Sequence, residues 1–199
     1  MIVYPCHTVT IGLTHHTEMN STDQQKIYLD FNASTPIDPA VESVMRDIME
    51  RAFGNPSSTH WAGITAHTIV DTARRQVADL LGCQPVEIVF TSGGSESNNH
   101  VLKGIFFASR LQNPHIITTA IEHPAIVNPC RFLERLGARI TWLPVDSTGC
   151  MDPKDLMQSI TADTSLISIM HANNETGAIQ PVEDCARIAR EHGIPFHTD

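Results

Sequence analysis

Residues 91–99 read Thr-Ser-Gly-Gly-Ser-Glu-Ser-Asn-Asn, a stretch rich in groups that bind anions. The apolar run Glu87–Phe90 before it reads as a short buried strand, and His100–Arg110 after it reads as a helix. A chain that leaves a strand, turns on glycine and opens a helix aims unpaired backbone N–H groups and the positive helix end at one point. Gly93 and Gly94 let the backbone come close to a phosphate, and the hydroxyls of Thr91, Ser92 and Ser95 can add hydrogen bonds. The pattern is neither a dinucleotide fingerprint nor a P-loop, because no Lys follows the glycines. A glycine pair before a helix is also a common plain connection, so the stretch gains meaning only from the groups beside it. Three candidates occur: Glu122-His123-Pro124, His171-Ala172-Asn173-Asn174-Glu175 and His197-Thr198-Asp199. Each alone has an ordinary reading as a surface histidine, a turn or a helix cap.

The elements that must position these groups alternate along the chain. Lys26–Asp30 reads as a short strand and Asn32–Pro36 as a turn. Asp38 and Pro39 open a helix with Val41, Val44, Met45, Ile48 and Met49 on its apolar face. Phe53–Ser58 is a loop, and a second helix runs from Ala62 to Leu81, with Val70, Ala73, Val77, Leu80 and Leu81 as its stripe and Gly82 as its stop. Beyond the glycine loop come a strand His115–Thr119, a helix Pro124–Leu136 ended by Gly137, a strand Arg139–Pro144 and a short helix opened by Asp152-Pro153. A strand Thr164–His171, a helix Pro181–His192 and a strand Ile194–Thr198 follow. This alternation predicts an α/β fold in three layers, a mostly parallel sheet with helices on both faces. Ligands in such sheets bind at the carboxyl ends of the strands. Gly94-Ser95, Glu122-His123, His171–Glu175 and His197–Asp199 all follow or end strands, so one cleft can hold all four groups.

Bulk composition narrows the function classes. The 199 residues suffice for one sizeable core, and 41% hydrophobic with 18% charged residues marks a globular chain. A net charge of −9 argues against nucleic acid as a partner. No apolar run approaches a membrane span. Residues 1–26 lack a basic start and an apolar core, so they read as a poorly ordered N-terminal extension rather than a signal peptide. Five scattered cysteines without a C-x-x-C spacing indicate neither zinc nor a redox pair and suit a reducing cytoplasm.

The motifs together carry a family resemblance. Tyr28-Leu29-Asp30-Phe31-Asn32-Ala33, Phe53-Gly54-Asn55-Pro56-Ser57-Ser58, the 91–99 loop, Glu122-His123-Pro124-Ala125, residues 170–177 and Phe196-His197-Thr198-Asp199 resemble the cysteine desulfurases, within the class V aminotransferase group of pyridoxal-phosphate enzymes. The resemblance runs from Ile27 to Asp199 and implies the large domain of fold-type I pyridoxal-phosphate transferases, with its C-terminal part missing. The implied cofactor is pyridoxal 5'-phosphate. By resemblance, Gly94 and Ser95 match its phosphate cup and His123 the catalytic imidazole that lies on its ring. Asn174 matches the amide on its phenolic oxygen, and Asp199 the carboxylate facing its pyridine nitrogen. Asn32 and Asn55 match loops near the cleft. Ser95 and Ser34 stand where the family usually has Thr, and Ile64 and His67 stand in a stretch often basic in relatives.

The implied reaction converts L-cysteine to L-alanine and passes the sulfur, as an enzyme persulfide, toward iron–sulfur clusters and thio-cofactors. The implied partners are a homodimeric second copy and a sulfur-acceptor or scaffold protein. Selenocysteine lyase, or another class V enzyme, is the alternative within the group. A non-catalytic protein that binds a full-length desulfurase is the alternative of another kind. The family's cofactor-binding Lys and persulfide-forming Cys match none of Lys26, Lys103, Lys154 or the five cysteines. The chain as given is therefore expected to be an inactive fragment.

Overall fold

The computed structural model describes residues 27–199, so the expected N-terminal extension lies outside the described residues. The described residues belong to two compact units, 27–90 and 91–199.

The first unit is built on two helices, α1 (Pro39–Arg51) and α2 (Trp61–Leu81). Asp38 caps α1 as its sequence demands, its carboxylate accepting the Ala40 N–H at 2.8 Å with Pro39 in the first turn. Gly82 ends α2 at φ 66°, a left-handed value that glycine adopts without strain. The apolar face of α1 is not a core face: none of its residues is buried, and Met49 is 70% exposed. The buried positions of α2 are the small residues Ala62, Gly63, Ala66 and Ala78 rather than its expected stripe.

Two expected strands are absent from this unit. Residues 27–30 form no ladder; instead the Tyr28 hydroxyl bonds the Asp30 and Ser34 carbonyls and the Ser34 hydroxyl, pinning a turn in which Ala33 and Ser34 donate to Asp30. At 87–90, Pro85–Glu87 forms a short 3₁₀ turn in which the Glu87 carboxylate accepts the Gln84 N–H. Arg74 then takes the Ile88 carbonyl and lies 5.0 Å over the Phe90 ring. The apolar run pairs with no strand among the described residues.

The Phe53–Ser58 loop and the start of α2 share two glycines that permit backbone contact. A Cβ on Gly54 would strike the Ala62 carbonyl, and one on Gly63 would strike the Ser58 carbonyl.

The second unit is the parallel α/β layer structure the sequence implies. Helix α3 (Gly94–Ala108) leads into β1 (His115–Thr119), α4 (Pro124–Arg135), β2 (Arg139–Leu143), α5 (Pro153–Ser159), β3 (Thr164–Ser168), α6 (Val182–Glu191) and β4 (Phe196–His197). The sheet order is β2-β1-β3-β4, and every pairing is parallel. Strand residues point alternately to two cores. Ile116 and Leu166 pack with Leu102, Ile126, Cys130 and Leu133 of α3 and α4. Ile117 and Ile167 pack on the opposite face with Leu156 of α5 and Cys185 and Ile188 of α6. Full burial of each such side chain is worth about 2 kcal/mol.

His115 sits fully buried within this sheet. Its Nδ1 meets the Thr164 hydroxyl at 2.9 Å and its Nε2 the Thr141 hydroxyl at 2.8 Å, so the imidazole joins β1 to both neighbours. Burial, reinforced by the Arg139 charge, pushes it down from 6.5 to about 4, which keeps it neutral.

The glycine contact generates a test. Gly63→Ala should lower the stability of the folded protein by about 1–3 kcal/mol through overpacking, read as a reduced denaturant midpoint with an unchanged m-value. Gly104→Ala, at a position where a Cβ meets nothing within 4 Å, should not.

Candidate active site

Strands β1 and β3 are neighbours, yet the chain leaves them toward opposite faces, through α4 and α6. Such a divergence opens a crevice at the carboxyl ends of the two strands. Residues 120–123 and 171–177 stand there, and Asp199 follows β4 beside them.

Helix α3 begins at Gly94, six residues before the sequence-based start, so Ser95, Ser97, Asn98 and Asn99 lie in its first turns rather than in a loop. Ser97 and Asn98 are buried, and tertiary packing outweighs the poor helix propensity of this run. Gly93 turns the chain at φ 155° and ψ −179°, a conformation essentially confined to glycine. No side chain caps the helix, so the N–H groups of its first turn face outward.

Two of the three expected anion-binding hydroxyls are already engaged. Thr91 Oγ1 bonds Ser97 Oγ at 2.7 Å, and Ser92 donates its N–H and hydroxyl to Glu96 Oε2 at 2.7 and 2.6 Å. Those bonds from Ser92 hold the Glu96 carboxyl below the usual range. Ser95 is exposed on the first turn.

The structure brings Gly94 and Asp199 together: a Cβ built on Gly94 would find Asp199 Oδ1 as its nearest neighbour, at 4.0 Å. A methyl group there would meet the carboxylate at ordinary van der Waals distance. Asp199 is exposed, and its carbonyl accepts the His171 N–H at 3.2 Å, which continues the β3–β4 pairing past the strands. His123 is the exposed N-cap of α4, and its Nδ1 accepts the Ala125 N–H at 3.1 Å. That bond assigns the ring proton to Nε2. Asn174 is exposed in the tight turn after β3. Asn32 and Asn55 belong to the 27–90 unit, where Asn55 Oδ1 accepts the Ser57 N–H at 2.9 Å as an ordinary turn residue.

Two residues that sequence reasoning gave no role stand between these groups. Glu122 is buried, and its Oε1 accepts both the Thr119 hydroxyl at 2.8 Å and the Met170 N–H at 2.9 Å. Asn173 Nδ2 donates to the Ile121 carbonyl at 3.0 Å. Their positions, one residue before His123 and one before Asn174, were the only signal available. Burial, with a contribution from the Asp199 charge, pushes the Glu122 carboxyl up from 4.5 to about 7.

The cysteines and lysines supply little here. Burial pushes the Cys130 thiol up to about 12 and that of Cys185 to about 11, far from thiolate chemistry. Lys103 lies in α3 with its ammonium 5.1 Å over the Phe132 ring, and Lys154 opens α5. Among the described residues no cluster of metal-binding side chains exists, and no helix is long and apolar enough to cross a membrane.

The uncapped N-terminus of α3 and the Asp199 carboxylate thus lie close together at the divergence of a parallel α/β sheet. The family description Aminotransferase class-V matches residues 27–199, and the chain belongs to that family, whose members use pyridoxal phosphate. It is 48% identical over 176 residues to a protein named cysteine desulfurase IscS from Dictyoglomus turgidum, covering 88% of this chain and 45% of that one. A protein of the same name from Methanosarcina thermophila is 47% identical over 179 residues, covering 90% and 44% respectively. Among solved structures, one titled "SspA in complex with cysteine" superposes with a TM-score of 0.83 at 42% identity, over 86% of this chain and 50% of the other. The chain therefore spans just under half the length of these curated relatives.

Glu122 and His115 give opposed dependences of stability on pH. Glu122, raised in the fold, contributes stability that is full below pH 4.5 and is lost as pH rises to about 7. His115, lowered in the fold, contributes stability that is full above pH 6.5 and is lost as pH falls to about 4. Each is worth on the order of 3 kcal/mol, and the two oppose one another; His197, also lowered by burial, acts in the same direction as His115. Relative to wild type, Glu122→Gln should make stability rise more steeply with pH across that window, and His115→Asn should shift the slope in the falling direction. Denaturant unfolding from pH 4 to 8 measures both slopes.

Proposed function

We propose that this chain supplies the phosphate-, ring- and nitrogen-facing residues of a pyridoxal-phosphate-dependent cysteine desulfurase. The observation that carries the reading is the uncapped N-terminus of α3 set beside Asp199, whose Oδ1 lies 4.0 Å from where a Cβ on Gly94 would stand. That donor set fits the cofactor: it offers backbone N–H groups to a phosphate and an anion to a pyridinium. When bound, pyridoxal phosphate supplies an electron sink for charge developing at the α-carbon of an amino acid.

Each residue then has a physical task. The N–H groups of the first α3 turn and the Ser95 hydroxyl bind the phosphate. The Asp199 carboxylate holds a proton on the ring nitrogen, because a nearby anion favours the charged form. The His123 imidazole stacks on the ring; with Nδ1 engaged by Ala125, proton movement falls to Nε2. Asn174 donates to the phenolic oxygen.

The substrate is L-cysteine and the product L-alanine, with sulfur leaving as a persulfide for iron–sulfur and thio-cofactor synthesis. Two things support this assignment: the relatives' names and the solved neighbour whose title records bound cysteine. The reading includes a homodimer and a sulfur-acceptor protein. The cytoplasm is our compartment for it, on the scattered unpaired thiols, although relatives from Arabidopsis thaliana and Trachipleistophora hominis carry mitochondrial and mitosomal names.

The test uses the full-length protein. It should purify with pyridoxal phosphate and form alanine from cysteine. Asp199→Asn should keep the cofactor but lower the rate by about 100-fold or more, and Gly94→Val should weaken cofactor affinity by about tenfold or more by adding a side chain at the helix N-terminus. A protein that binds the cofactor yet forms no alanine would overturn the desulfurase reading. Absence of cofactor binding would overturn the site.

A further inference from the structure

Glu122 and Asn173 are not used by the reading above, yet they join the two loops on which it depends. Glu122 Oε1 receives one hydrogen bond from the end of β1, from Thr119, and one from beyond β3, from Met170 N–H. Asn173 sends its Nδ2–H back across the crevice to the Ile121 carbonyl. Its Oδ1 meanwhile gathers the Glu175 and Thr176 N–H groups and the Thr176 hydroxyl, at 2.9–3.1 Å, and so shapes the turn that carries Asn174. Two bonds thus cross between residues 121–122 and 170–173, each made by the residue that precedes a ring-facing side chain.

Packing does not explain Glu122. It is 6% exposed, and its Oε2 has no partner among the described residues. A buried carboxyl with one oxygen unpaired is costly. A Leu of similar volume would fill the crevice without that cost, but it could not hold two donors at once.

We propose that Glu122 and Asn173 are positioning residues: a two-point tie that fixes the His123 loop against the Asn174 loop and so sets the spacing of imidazole and amide at the cofactor ring. The tie rests on the hydrogen bonds, and its consequence for the ring rests on the cofactor reading.

The experiment uses the full-length protein and two readouts. The first is hydrogen exchange at the Met170 amide in cofactor-free protein. Glu122→Ala should lose protection about tenfold or more, whereas Glu122→Gln, whose amide oxygen can accept both bonds, should stay within about twofold of wild type. The second is the dissociation constant of pyridoxal phosphate. Glu122→Ala and Asn173→Asp should each weaken it about tenfold; the Asp keeps the acceptor that shapes the turn and loses the donor to Ile121. The double variant should weaken it less than the product of the two, as members of one tie do, and Glu122→Gln should restore affinity. Unchanged exchange in Glu122→Ala, or Glu122→Gln as damaging as Glu122→Ala, would overturn the tie. So would unchanged affinity in both single variants. If wild type does not bind pyridoxal phosphate, the cofactor reading fails, and the exchange result still decides the tie.

Discussion

Two parallel strands that lie side by side, β1 and β3, hand the chain to helices on opposite faces of the sheet. At their carboxyl ends the layers part, and main-chain groups that would otherwise pair within the sheet are left to find partners elsewhere. The Met170 N–H finds the Glu122 carboxylate and the Ile121 carbonyl finds Asn173. One consequence of topology, the divergence, thus makes the crevice, places His123 and Asn174 on its rims and dictates that polar side chains be buried beneath them.

The electrostatics follow from the same arrangement. The positive end of α3 lies beside the Asp199 carboxylate, a favourable pairing of opposite charge. Glu122, a second acid in the same neighbourhood but buried, is pushed up to about 7. His115 shows the same physics in the sheet, where burial with both ring nitrogens hydrogen-bonded to threonines keeps an imidazole neutral and structural.

Much of this was legible in the sequence. The strand His115–Thr119 was read with its observed bounds, and the Asp38, Gly82 and Gly137 boundaries hold because caps are local chemistry. The parallel α/β class follows from alternation alone. What could not be read depends on distant partners. Ile88–Phe90 has strand composition, but a strand needs a neighbour to pair with, and the run meets none among the described residues. The start of α3 was read six residues late because Gly, Ser and Asn are weak helix formers, and burial of Ser97 and Asn98 overrides that preference. Gly94, Ser95, His123, Asn174 and Asp199 stand out in the sequence by their places at strand ends and by the family resemblance. Glu122 has no role that spacing beside His123 reveals, because its carboxyl reaches Met170, 48 residues away.

The buried thiols have a consequence for selectivity. Cys130 and Cys185 lie in opposite cores, one on each side of the sheet, and both are held protonated by burial. A neutral thiol neither attacks a sulfane sulfur nor is readily oxidised or alkylated. In a protein whose proposed chemistry passes sulfur from thiolate to thiolate, such residues are chemically insulated bystanders. The interior can hold polarizable sulfur as packing material without offering the cargo a second destination.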